Sequence, residues 1–169
     1  GTAAYFGLEK EVDIQLGTLS KSLGSVGGYV AANSTIIDYL VNTSRSFIFS
    51  TALSPADIGA ALAALHVLES DVSVLQSLHE NVNYMADQLI SIGINATNET
   101  PIFPILIGRN EDTLAVSDYL YEAGIIGTAI RPPAVPIGES RIRLTVTAAH
   151  NKEQIDYVCQ SLQNAMKQL

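Results

Sequence analysis

One lysine in this chain stands where an amine could act as a nucleophile. Lys21 lies within Gly17-Thr-Leu-Ser-Lys-Ser-Leu-Gly-Ser-Val-Gly-Gly28, a stretch bounded by glycines and rich in hydroxyls at Thr18, Ser20, Ser22 and Ser25. Only nine residues of the whole chain are Lys or Arg, so a cation in the middle of a Gly/Ser loop is not part of a general basic surface. A loop of N–H and O–H donors suits an anionic group, and a lysine held there can form a covalent bond through its amine. The loop is not a phosphate P-loop, because Ser20 occupies the place of the glycine before the lysine. No Gly-x-Gly-x-x-Gly occurs, so the dinucleotide fingerprint is missing as well. On its own residues, the loop leaves a solvated lysine and an anion-binding module as open readings.

Arg131, Arg141 and Arg143 form a second constellation in an otherwise acidic chain. The planar fork of arginine suits a carboxylate, which it can meet with two parallel hydrogen bonds. Arg141 and Arg143 are two apart on an expected strand and so share a face. Arg131 precedes Pro132-Pro133, a stiff turn. Salt bridges to Glu139 or Asp156 are the structural alternative for these arginines. Ser50 and Thr51 make a third group, just before the start of an expected helix, where capping and phosphate binding are both physically reasonable. His66, His79 and His150 have no metal-ligand spacing and no Gly-x-Ser-x-Gly elbow accompanies them, so neither a metal nor a Ser–His–Asp triad is nominated.

The elements that must position these residues follow from pattern. Val12 to Leu16 and Gly27 to Ala32 read as strands either side of the lysine loop. Residues 34–42 read as a helix with Ser34 as its cap, and Phe47-Ile-Phe49 as a short strand. Ser54-Pro55 opens a helix that is apolar nearly all round, which predicts deep burial. A more amphipathic helix follows to about Ile92, with Gly93 as its stop. Beyond it the pattern alternates: strand 103–107, helix 111–123 ended by Gly124, strand 125–130, strand 141–147 with His150 at its end, and helix 151–167 capped by Asn151. Two or three strands and a buried helix cannot complete a parallel sheet, so the first half reads as the end of a larger α/β protein. The expected division is residues 1–70, the end of a large domain with its linking helix, and residues 71–169, a small α+β domain.

Composition narrows the function classes. A net charge of −8 leaves no excess of Lys/Arg for nucleic acid or for an anionic membrane surface. No apolar run is long enough to span a bilayer. The single cysteine, Cys159, excludes an internal disulfide and fits a reducing, cytoplasmic setting, with a buried thiol as its expected state.

Four segments together resemble one family. Asp13-Ile-Gln-Leu-Gly-Thr-Leu-Ser-Lys-Ser-Leu-Gly-Ser-Val-Gly-Gly-Tyr-Val30 is similar to the lysine segment of the pyridoxal-phosphate-dependent α-oxoamine synthases, which are fold-type I enzymes of aminotransferase class I/II. Arg45-Ser-Phe-Ile-Phe-Ser-Thr-Ala-Leu-Ser-Pro55 resembles their next segment. Ala129-Ile-Arg-Pro-Pro-Ala-Val-Pro136 and Arg141-Ile-Arg-Leu-Thr-Val-Thr-Ala-Ala-His150 resemble their C-terminal signature. The resemblance implies the C-terminal portion of a fold-type I pyridoxal-phosphate transferase. It implies that Lys21 forms a Schiff base with pyridoxal 5'-phosphate and moves the α-proton, and that Thr18 and Ser20 contact the cofactor. Ser50 and Thr51 are implied to reach the cofactor phosphate of a neighbouring subunit in a homodimer. Arg143 is implied to hold the amino-acid carboxylate, and Arg131 to sit near the acyl-chain end. The implied reaction is decarboxylative condensation of alanine, glycine or serine with an acyl-CoA or acyl-ACP.

The Arg-Pro-Pro-x-Val-Pro form is nearest the branch of the family that serves biotin synthesis, although that branch often carries threonine where Ala134 stands. A 2-amino-3-ketobutyrate ligase-like activity, another α-oxoamine synthase, or a fragment that folds or dimerises without cofactor are the alternatives. Family members also carry an Asp-x-Ala-His segment upstream of the part matched by residue 1. Asp13 does not correspond to that aspartate.

Overall fold

The computed structural model describes all residues, Gly1–Leu169. The chain divides into two compact units, Gly1–Ser70 and Asp71–Leu169.

The first unit begins with a short helix α1 (Thr2–Tyr5), followed by strands β1 (Ile14–Thr18) and β2 (Gly28–Ala32). These strands pair with each other, antiparallel, from Ile14↔Ala32 to Thr18↔Gly28. They form a hairpin, because the loop between them is too short for a crossover. Helices α2 (Ser34–Thr43), α3 (Arg45–Ile48) and α4 (Pro55–Ser70) follow. The cap of α2 is Asn33, whose Oδ1 accepts from the Ile36 N–H at 3.0 Å, and not Ser34. Residues 47–49 are not a strand. Phe47 and Ile48 both donate their N–H to the Ser44 carbonyl, which makes a helical turn, and an apolar run this short carries no period that separates the two states.

Helix α4 opens as expected at Ser54, whose Oγ accepts from the Asp57 N–H at 3.2 Å and donates to Asp57 Oδ2 at 2.6 Å. Its expected deep burial is not met, for only Ala61 is buried while Leu62 is 62% exposed. An all-round apolar helix needs neighbours on every side, and a unit of this size covers one stripe. Leu23 and Ala61 are the buried apolar residues of the whole unit.

The second unit has a true core. Helices α5 (Val72–Ser91), α6 (Asn110–Glu122) and α7 (Lys152–Met166) pack on a sheet of β3 (Ile102–Gly108), β4 (Thr128–Ile130) and β5 (Ser140–Thr145). The sheet is antiparallel in the order β3-β5-β4. Val82, Met85, Ala86 and Leu89 of α5 recur at helical spacing and join Phe103, Ile105, Ile142 and Leu144 in one core. Asn151 caps α7 through a reciprocal pair with Gln154, and the Gly93 N–H closes α5 on the Ile90 carbonyl. Strand β4 is shorter than expected. Ile125 donates to the Leu120 carbonyl of α6, closing the turn that follows the helix, and the strand begins only at Thr128. Strand β5 likewise stops at Thr145, and His150 lies in the turn beyond it.

That turn is held from the core. The buried Asn81 donates from Nδ2 to the Thr147 carbonyl at 3.0 Å and the His150 carbonyl at 2.7 Å. Cys159 is buried with its Sγ 3.8 Å from Met85 Sδ. Burial, with Asp156 adding, pushes its thiol up to about 11, so it is a packing residue and not a nucleophile. No single helix is long and apolar enough to cross a membrane.

Asn81→Ala removes both turn hydrogen bonds and leaves two carbonyls short of a donor. Chemical denaturation is expected to show a loss of about 2 kcal/mol, against almost none for the exposed Gln168→Ala.

Candidate active site

In the first unit the site is built on the β1–β2 hairpin. The loop from Leu19 to Gly27 closes on itself: Leu19 donates its N–H to the Gly27 carbonyl at 2.9 Å and Ser25 to the Leu19 carbonyl at 2.9 Å. Thr18 and Ser20 are brought together, with Oγ1 and Oγ 2.8 Å apart, and the Ser20 N–H also donates to Thr18 Oγ1 at 3.2 Å. Lys21 follows at the loop's outer end. It is exposed and makes no ion pair or side-chain hydrogen bond, so its amine is unengaged. Leu23, buried at 9% exposure, anchors the loop, and Ser25 Oγ donates to the Asp57 carbonyl at 2.6 Å.

Ser50 and Thr51 are exposed on the segment between α3 and α4, with no hydrogen bond of their own. That segment passes the lysine loop, since a Cβ at Gly27 would meet Leu53 Cδ1 at 2.9 Å. Two features escaped the sequence reading. Tyr29 lies across from Gly17 with its ring where a Cβ on Gly17 would stand, 2.5 Å from Cε1. A pocket of ≈ 560 Å³ opens between the hairpin and α2–α3, lined by Thr18, Gly28, Tyr29, Ile37, Leu40 and Phe47 among others. The glycines at 17 and 28 were visible as loop punctuation, but their need for close approach becomes evident only from the register.

In the second unit, β5 carries Arg141 and Arg143 on the face away from the helices, because Ser140, Ile142 and Leu144 alternate with them into the core. Arg143 is exposed between Pro104 on one side and Thr128 on the other, with no ion pair. Arg131 is exposed one residue past β4, and the Ala134 N–H returns to its carbonyl at 3.0 Å, closing the proline turn. Arg141 takes the structural alternative and pairs with Glu139 at 2.9 Å. Asp156 instead accepts from the Tyr84 hydroxyl at 2.7 Å, which raises the phenol's pKa. His66 and His79 are exposed. His150 Nδ1 accepts from the Thr147 N–H at 3.0 Å, a turn-closing role.

The two constellations thus offer an unengaged amine beside paired hydroxyls in one unit, and in the other the unpaired guanidinium of Arg143 on an open sheet face with that of Arg131 in the turn past β4. The first suits condensation with a carbonyl, the second a carboxylate. The hairpin that bears the lysine depends on Gly28, where a Cβ would stand 2.9 Å from the Gly17 carbonyl oxygen. Gly28→Ala is expected to lower stability by about 1–3 kcal/mol through this overpacking, read as a fall in melting temperature, whereas Ser22→Ala in the same loop leaves it unchanged.

The model of the aminotransferase class I and II family matches residues 1–162. An 8-amino-7-oxononanoate synthase from Bacillus velezensis is 42% identical over 170 residues, covering 100% of this chain and 44% of that relative. A serine palmitoyltransferase from Sphingobacterium spiritivorum is 40% identical, covering 99% of this chain and 42% of that relative. Among solved structures, a serine palmitoyltransferase from S. paucimobilis with a bound pyridoxal-phosphate–myriocin aldimine superposes with a TM-score of 0.92 at 26% identity, covering 99% of this chain and 43% of that one. The chain therefore spans less than half the length of the curated relatives it matches. Its α/β fold is that of the fold-type I pyridoxal-phosphate transferases, and the chain belongs to the aminotransferase class I and II family.

Proposed function

We propose that this chain is the lysine- and arginine-bearing part of a pyridoxal-phosphate-dependent C-acyltransferase that condenses an amino acid with an acyl thioester, with loss of carbon dioxide. The observation that carries the reading is the Lys21 amine, free of any carboxylate, at the end of a self-closed loop beside the Thr18–Ser20 hydroxyl pair. A cofactor aldehyde needs such an amine. Bound pyridoxal phosphate supplies an electron sink for the carbanion at the amino-acid Cα. Thr18 and Ser20 orient the group by hydrogen bonding, and Lys21 Nζ takes the α-proton. Arg143 holds the amino-acid carboxylate, and Arg131 stands towards the acyl chain. Ser50 and Thr51 donate to the cofactor phosphate of a second subunit in a cytoplasmic homodimer. In this reading residues 1–70 end the cofactor-binding domain and residues 71–169 are the small domain. The relatives named 8-amino-7-oxononanoate synthase support the biotin-synthesis branch of the family, with alanine, glycine or serine as the amino acid and a pimeloyl thioester as the acyl donor that the resemblance implies. The serine palmitoyltransferase relatives keep serine with a longer acyl chain as the second choice.

Borohydride treatment of the full-length protein is expected to abolish its yellow colour and leave a pyridoxyl adduct on Lys21, located by peptide mass spectrometry. Lys21→Ala is expected to be colourless. An adduct on another lysine, or on none, removes the reading.

Arg143→Ala is expected to raise the amino-acid KM by roughly tenfold or more, because a charge-assisted pair is lost. Arg131→Ala is expected to impair pimeloyl-CoA more than acetyl-CoA. Steady-state assays with alanine, glycine and serine against both thioesters decide this, and equal impairment withdraws the biotin-pathway assignment.

A further inference from the structure

The open face of the second unit's sheet carries Arg141 and Arg143, and one of them is engaged by a neighbour. Arg141 donates from Nε to the Glu139 carbonyl at 3.0 Å and from Nη2 to Glu139 Oε2 at 2.9 Å. Arg143, the next residue on the same face, and Arg131 beyond β4 make no ion pair. The engagement is prepared by the backbone. Gly138, at φ +84°, allows the turn in which the Glu139 N–H donates to the Pro136 carbonyl at 3.1 Å. On the other side of Glu139, the fully buried Ser140 donates from Oγ to Asn110 Oδ1 at 2.7 Å. Glu139 is thus held from both directions, and Arg141 is met by both its carbonyl and its carboxylate.

We infer that Glu139 is a specificity-determining residue: it occupies Arg141, so the face offers Arg143 to one carboxylate and repels a second. The inference rests on Arg143 as the carboxylate site. Residues two apart on a strand are separated by roughly 7 Å, a span that the two carboxylates of a short amino-dicarboxylic acid could bridge if both guanidinium groups were free. With Glu139 in place, the second carboxylate meets an occupied guanidinium and a like charge.

The test measures dissociation constants by calorimetry on the full-length protein, for L-aspartate and for the tightest binder among alanine, glycine and serine. Glu139→Ala is expected to tighten L-aspartate about fivefold, the scale of one partly exposed charge-assisted bond, and to leave the monocarboxylic amino acid within about twofold. Adding Arg141→Ala to Glu139→Ala should cancel the gain, while Arg141→Ala alone should change neither ligand. An unchanged aspartate-to-monocarboxylate ratio in Glu139→Ala, or a gain that survives the loss of Arg141, overturns the inference. Should Glu139→Ala not fold, Glu139→Gln removes the charge with the shape kept, and the same shift of the ratio decides. Arg143→Ala separates the two claims. If it leaves monocarboxylate binding intact, Arg143 is not the site. If it abolishes that binding while the Glu139 variants leave the ratio unmoved, Glu139 alone is refuted.

Discussion

Strand β5 lies in the middle of its sheet, bonded to β3 on one edge and β4 on the other. Its side chains must alternate, and three helices cover only one face. Ile142 and Leu144 go into the core at 0% and 4% exposure, so Arg141 and Arg143 have nowhere to point but the open face. A slip of one residue would bury two guanidinium groups and expose the core, a cost of many kcal/mol, so the register is strongly specified. The arrangement of the arginines, the turn that carries Glu139, and the brace from Asn81 to the turn beyond the strand all depend on this one alternation.

The lysine loop is governed by a different constraint. It is a hairpin connection whose two strands approach so closely at Gly17 and Gly28 that neither position has room for a side chain without displacement. The hydroxyls and the amine therefore project from a backbone that is closed by its own hydrogen bonds, with Ser25 tied to the start of α4. Much of the surrounding apolar surface is open, including Leu16 at 82% and Phe49 at 78% exposure. The loop's geometry is local, and the burial of its neighbours is not supplied by the first unit.

Legibility in the sequence followed the range of the interactions. Helix ends written in side-chain chemistry were readable: Ser54-Pro55 opens α4, Asn151 caps α7, and Gly93 and Gly124 stop their helices. The pairing of Arg141 and Arg143 on one face followed from period two. The short apolar segment 47–49 was misread because three residues carry no period, and residues 125–127 because the turn closing α6 takes the Ile125 N–H before a strand can start. The burial of α4 was misjudged because an apolar helix requests neighbours that pattern alone cannot supply.

By itself the sequence determined the identity and spacing of the reactive groups: a lysine in a glycine-bounded hydroxyl loop, three arginines within one stretch, and the four segments that mark the family. Those are properties of chain order, set by covalent spacing. Only the tertiary structure decided which groups are free. Lys21, Arg131 and Arg143 are left without an ion pair, while Arg141 is taken by Glu139 through a turn and a buried serine that fix its place. Charge neutralisation is a matter of distance in space, and the folded backbone sets that distance.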